Sequence, residues 1–155
     1  MRLYLGVIVL TAIGVVSAAS SAESLCTPLR EFVKSVQPGE NREFTFHTLW
    51  GGNFKGSSED ALYAKGCSDG GYPPAAKVCD YLMEHGAVEF AGNNVKEALT
   101  CLAPKTRFAP LVGLHRALFF SLTFGTDGRG SNVELEFYED AEIGGMAFKV
   151  SADGY

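Results

Sequence analysis

The sequence predicts an α+β domain, an antiparallel sheet of about four strands with three to four helices packed on one face. Three observations lead there. Apolar residues recur at helical spacing in several N-terminal and central segments. They alternate with a period of two in the C-terminal third. Helices and strands are segregated along the chain rather than strictly alternating, the order of an α+β fold.

The first helix rests on Leu25, Leu29, Phe32, Val33 and Val36, which share one helical face. Pro38-Gly39 stops it. From Glu43 to Thr48 polar and apolar residues alternate. Phe44 and Phe46 point to one side, and Glu43, Thr45 and His47 to the other, as in a half-buried strand. The strand runs to Trp50, the only tryptophan, and Gly51-Gly52-Asn53 breaks it. Ser57-Ser58-Glu59-Asp60 reads as the capped start of a short helix that Gly66 ends, with a loop from Cys67 to Tyr72. Pro73-Pro74 opens a helix over Ala75–His85, because proline is tolerated in the first turn, and Gly86 ends it. Asn94 reads as the cap of a further helix, with Glu97 three residues on as in a capping box. Val95, Leu99 and Leu102 line its face, and Pro104 closes it.

Three strands follow. Leu118, Phe120, Leu122 and Phe124 alternate, then Val133, Leu135 and Phe137, then Met146, Phe148 and Val150. Asp127-Gly128 marks a hairpin between the first two, and Ala141–Gly145 a second turn. The outcome is a three-stranded meander that the early strand joins. One face is apolar. The other carries Glu43, Thr45, His47, Ser121, Thr123, Glu134, Glu136, Tyr138, Lys149 and Ser151, and antiparallel sheets allow such a wet side.

The N-terminus reads as a secretory signal peptide over residues 1–22. Arg2 supplies the charge, Leu3 to Val16 an uncharged apolar run, and Ser17 to Ala22 the small residues of a cleavage region. Cleavage is expected after Ala22, with Ala18 as the second choice. A retained anchor is disfavoured, because about 14 apolar residues fall short of the roughly 20 that span a bilayer. Cys26 lies past both cuts in a poor context for lipidation. Residues 23–155 then form a single disulfide-stabilised domain, secreted to a periplasmic or extracellular space. Removing Arg2 from the 13 basic residues leaves 12 against 18 acidic ones, a net charge of −6. An acidic chain without a basic run argues against nucleic acid and anionic membrane as partners and permits a basic protein.

Four cysteines in an exported chain read as two disulfides. Three pairings are possible. Cys79 and Cys101 lie about equally far from the turn between the last two helices, so an antiparallel helix hairpin predicts Cys79–Cys101 and leaves Cys26–Cys67. A metal site is disfavoured, because no Cys-x-x-Cys pair is present and no histidine stands in ligand spacing.

The motifs of catalysis are missing. His47, His85 and His115 are far apart in sequence, and no nucleophile elbow, Ser-x-x-Lys or His-Glu-x-x-His occurs. Glu134 and Glu136 share a strand face but read as solvated acids. Gly125 to Gly130 leads into a strand, so it is a hairpin turn and not a phosphate loop. Neither a catalytic residue nor a cofactor is assigned. The candidate binding residues are His47, Trp50, Asn53, Phe119, Asp127, Arg129, Glu134, Glu136 and Tyr138. Trp50 packs at the strand end in the simplest reading and is an interface anchor in the functional one. The function expected is a non-enzymatic protein-binding domain, of inhibitor or immunity type, facing a basic envelope-targeting enzyme by charge complementarity. The alternative is a carrier of a small apolar ligand, or an enzyme, with a pocket between sheet and helices. A structural envelope protein is the third reading.

Overall fold

The computed structural model describes residues 24–109, 113–114 and 117–155. The leader read over residues 1–22, the start at Glu23 and His115 lie outside the described residues. Among these residues there are three helices, α1 (Cys26–Ser35), α2 (Pro73–His85) and α3 (Gly92–Leu102). There are five strands, β1 (Asn41–Trp50), β2 (Tyr63–Ser68), β3 (Leu118–Thr126), β4 (Arg129–Glu139) and β5 (Met146–Gly154). The strands form one antiparallel sheet in the order β2-β1-β5-β4-β3. No described helix is long and apolar enough to cross a membrane.

The class is α+β, and the apolar pattern accounts for most of it. The α1 face of Leu25, Leu29, Phe32 and Val33, with Val36 just beyond, is fully buried. It packs on the sheet side that carries Phe44, Phe46, Val133, Leu135, Phe137, Phe148 and Val150. Phe32 meets Phe44 edge-on at 5.5 Å between ring centroids, and Phe44 meets Phe148 at 6.0 Å. The meander closes as expected through a tight turn at Asp127-Gly128, with Thr126 opposite Arg129. The early strand docks on β5, with Phe46 opposite Phe148.

The fifth strand is a correction. Residues 57–66 do not form a short helix, and Cys67 does not begin a loop. The Ser57 hydroxyl does accept a hydrogen bond from the Glu59 N–H, as a cap would, but no helical turn follows. Tyr63–Ser68 instead pairs with β1, from Trp50 opposite Tyr63 to Thr45 opposite Ser68. The pairing satisfies the backbone groups that β1 would otherwise leave open on that side, and this outweighs a weak local helix signal.

The disulfides are a second correction. They are Cys26–Cys101 and Cys67–Cys79, not Cys79–Cys101 and Cys26–Cys67. The expected pairing assumed that α2 and α3 form a helix hairpin. Instead α1 packs against both. The start of α1 therefore meets the end of α3, where the Arg30 guanidinium also donates two hydrogen bonds to the Cys101 carbonyl, at 2.7 and 3.0 Å. Cys79 on α2 faces Cys67 on β2. Gly86 allows the end of α2 to lie directly on the sheet, for a Cβ there would stand 2.7 Å from the Phe46 ring. Two bridges of this kind belong to an oxidising compartment.

Asn94 is not a cap. It lies inside α3, 4% exposed. Its side chain accepts a bond from the Ala87 N–H and donates one to the Ala87 C=O, both at 2.8 Å. Glu97 closes no capping box; its carboxylate accepts from the Leu25 N–H at 3.2 Å. Asn94 thus pins the α2–α3 connection. Asn94→Ala is expected to lower stability by about 2 kcal/mol, because both groups of Ala87 lose a partner where water is scarce. Urea unfolding measures it, and a loss under about 0.5 kcal/mol would show that solvent reaches these groups.

Candidate functional site

The nine candidate residues do not form one site. Phe119, Glu134, Glu136 and Tyr138 share the outer sheet face with His47, as the alternation predicts. This face is less acidic than composition suggests. Lys149 stands opposite Glu136 and binds the Glu43 carboxylate at 2.8 Å. Its hydrogen bond to Glu43 holds the Lys149 ammonium above its ordinary value. Tyr138 is pushed up, first by burial and then by the charges of Asp140 and Glu136. The phenol therefore stays neutral.

His47 is occupied structurally. Its Nε2–H donates to Asp140 Oδ2 at 3.1 Å, with only 12% of its side chain exposed, and Phe54 meets the ring edge-on. The Asp140 carboxylate also accepts the backbone N–H groups of Glu142 and Ile143, which hold the β4–β5 turn. Those backbone bonds, and then His47, keep Asp140 below its ordinary value of 3.8. A depressed folded value means that the charged form is the one the fold stabilises. Its contribution is complete above the ordinary value and is lost as pH falls through the folded one. Asp140→Asn is expected to flatten that acid limb of the stability profile. Equal acid dependence in the variant and the parent would refute the assignment.

Asn53, Asp127 and Arg129 have other places. The Asn53 amide bonds to the Ser57 hydroxyl and the Glu59 carbonyl and shapes its own loop. Arg129 donates to the Val36 carbonyl and to Gln37, tying the β3–β4 hairpin to the end of α1. Asp127 lies exposed in that hairpin turn. Both sit at the opposite end of the sheet from Trp50, as the register of β4 and β5 requires.

Trp50 is not in the core. It is 49% exposed on the last residue of β1 and lines a cleft of about 330 Å³. The cleft opens between the ends of β1, β4 and β5 and the α2–α3 connection, with residues 113–114 along it. Buried Phe137 and Ala91 and half-buried Met146 form apolar lining. Phe90, 61% exposed, contributes a second aromatic from the connection that Asn94 pins. Glu89 and Glu139 are the only charged residues among the described lining. The Gly145 backbone, at φ +82°, turns the β4–β5 connection back along one side.

Sequence reading missed Phe90, Glu89, Glu139, Leu114 and Met146 as partners of Trp50. Met146 read only as a strand residue, and Glu139 was given no role. Phe90 carried one usable signal, a large aromatic in a connection with no periodic pattern to bury it.

The described lining combines apolar and aromatic surface with two carboxylates. None of its described residues is a histidine, cysteine, lysine or serine, and all four cysteines are bridged. Half-exposed aromatics over an apolar floor are the usual anchors of protein recognition. No family model, no characterised protein and no solved structure matches the chain, so its function is read from this cleft.

Proposed function

We propose that the protein is an exported, non-enzymatic binding domain whose partner is a basic protein, in the manner of an inhibitor or immunity protein. The cleft beside Trp50 is where that partner is held. The leader-like N-terminus and the two disulfides support export. The mature charge of −6 supports a basic partner. The observation that carries the reading is the pair Trp50 and Phe90. Two large aromatics from different elements stand half exposed or more at one open cleft. Isolated exposed apolar residues are common on any surface, but paired aromatics at a concavity are the chemistry of an interface.

A carrier of small molecules fits less well. Carriers bury most of their ligand in pockets of about 300–1,000 Å³. This cleft is at the low end of that range and open to solvent.

The test is capture with a control built in. Oxidised protein is immobilised, and envelope and secreted extracts are passed over it at low and high salt. A basic protein held in stoichiometric amount, released by salt and lost at least tenfold on Trp50→Ala, is the expected result. A partner held equally by Trp50→Ala, or no retained protein, would sink the proposal.

A further inference from the structure

We infer that the cleft receives a single cationic side chain, a guanidinium above all. The inference deepens the proposed function and rests on the cleft being the partner site. Trp50 and Phe90 present aromatic surface, and the attraction of a cation to an aromatic face falls off within about 6 Å. Glu89 and Glu139 line the same space. Both are exposed, and neither takes part in an ion pair or side-chain hydrogen bond among the described residues.

Some carboxylates elsewhere in the chain are already paired. Glu43 holds Lys149, Asp140 holds His47, Glu40 holds Arg42 and Glu31 holds Lys77. No described residue lining the cleft is basic, so its two negative charges have no counterpart among the described lining. An anionic ligand would meet repulsion, and a purely apolar one would leave the carboxylates unused. A guanidinium satisfies both features at once: its plane stacks on an aromatic face while its N–H fork reaches a carboxylate.

Trp50 is the only tryptophan, so its emission reports on this site alone. The oxidised protein is titrated with N-acetyl-arginine amide, and in parallel with N-acetyl-citrulline amide, which has nearly the same shape and no charge. A saturable change in emission is expected with the arginine probe, at least fivefold tighter than with citrulline. Glu89→Gln with Glu139→Gln should weaken the arginine probe at least fivefold while leaving the far-ultraviolet spectrum and melting temperature unchanged. Equal response to the two probes, no saturable response to arginine, or full binding by the double variant would each overturn the inference. Failure of the arginine probe alongside Trp50-dependent capture would reject the cationic occupant alone. Arginine binding without any captured protein would reject the proposed function alone.

Discussion

Phe44→Ala is expected to destabilise the domain by about 4 kcal/mol, within the range for truncating a buried phenylalanine. Phe44 is 1% exposed and stands between two rings, Phe32 of α1 and Phe148 of β5, both met edge-on. Its loss removes apolar burial and leaves a void where helix layer and sheet meet, and the aromatic geometry adds a smaller share. Small domains have about 5–15 kcal/mol in all, so the variant should fold with a much lower urea midpoint and a similar slope. The matched control is Phe119→Ala on the outer face, where the ring is 59% exposed. That change should stay within about 0.5 kcal/mol. A loss below about 1.5 kcal/mol for Phe44→Ala would mean that α1 settles into the void, and that the layers are less tightly keyed than the ring geometry indicates.

Removing the Cys26–Cys101 bridge by alanine at both positions should cost more than removing Cys67–Cys79. The first closes a sequence separation of 75 residues and the second one of 12. Loop-closure entropy puts these at about 4.5 and about 3 kcal/mol. The first bridge also joins two helices that the sheet does not connect directly, whereas β2 and α2 are held besides by the β1 ladder and by Lys65, whose ammonium donates to the Met83 carbonyl at 3.1 Å. Both differences point the same way. Urea midpoints of the two double variants measure the order. The reverse order would show that local packing at the β2–α2 bridge, and not chain entropy, dominates.

What the sequence made legible is what local periodicity encodes. The face of α1 could be read residue by residue, because five apolar positions at helical spacing admit one buried side. The meander could be read for the same reason, with Asp127-Gly128 marking its hairpin. β2 could not, because Tyr63–Ser68 has little pattern of its own and becomes a strand only by lying beside β1. The disulfides could not, because their pairing depends on where α1 packs, and a helix hairpin was the wrong frame. The candidate site was legible at one residue. Trp50 was named, but its partners come from the α2–α3 connection and the ends of β4 and β5, and nothing in local spacing brings these together. His47, Asn53 and Arg129 have the residue types of a binding surface and are engaged in holding turns and strand ends.

The two bridges are nested, with Cys67–Cys79 lying wholly inside the span of Cys26–Cys101. A ribosome makes Cys26 first and Cys101 last. An oxidase joining cysteines in their order of appearance would form Cys26–Cys67 and then Cys79–Cys101, the pairing that local reading of the chain also favours. The native connectivity requires Cys26 to stay a thiol until the end of α3 has been made, or an early bridge to be reshuffled through mixed disulfides. The order of synthesis and the order of native pairing therefore differ, and the nested connectivity is reached either by oxidation of the completed chain or by exchange of an early bridge.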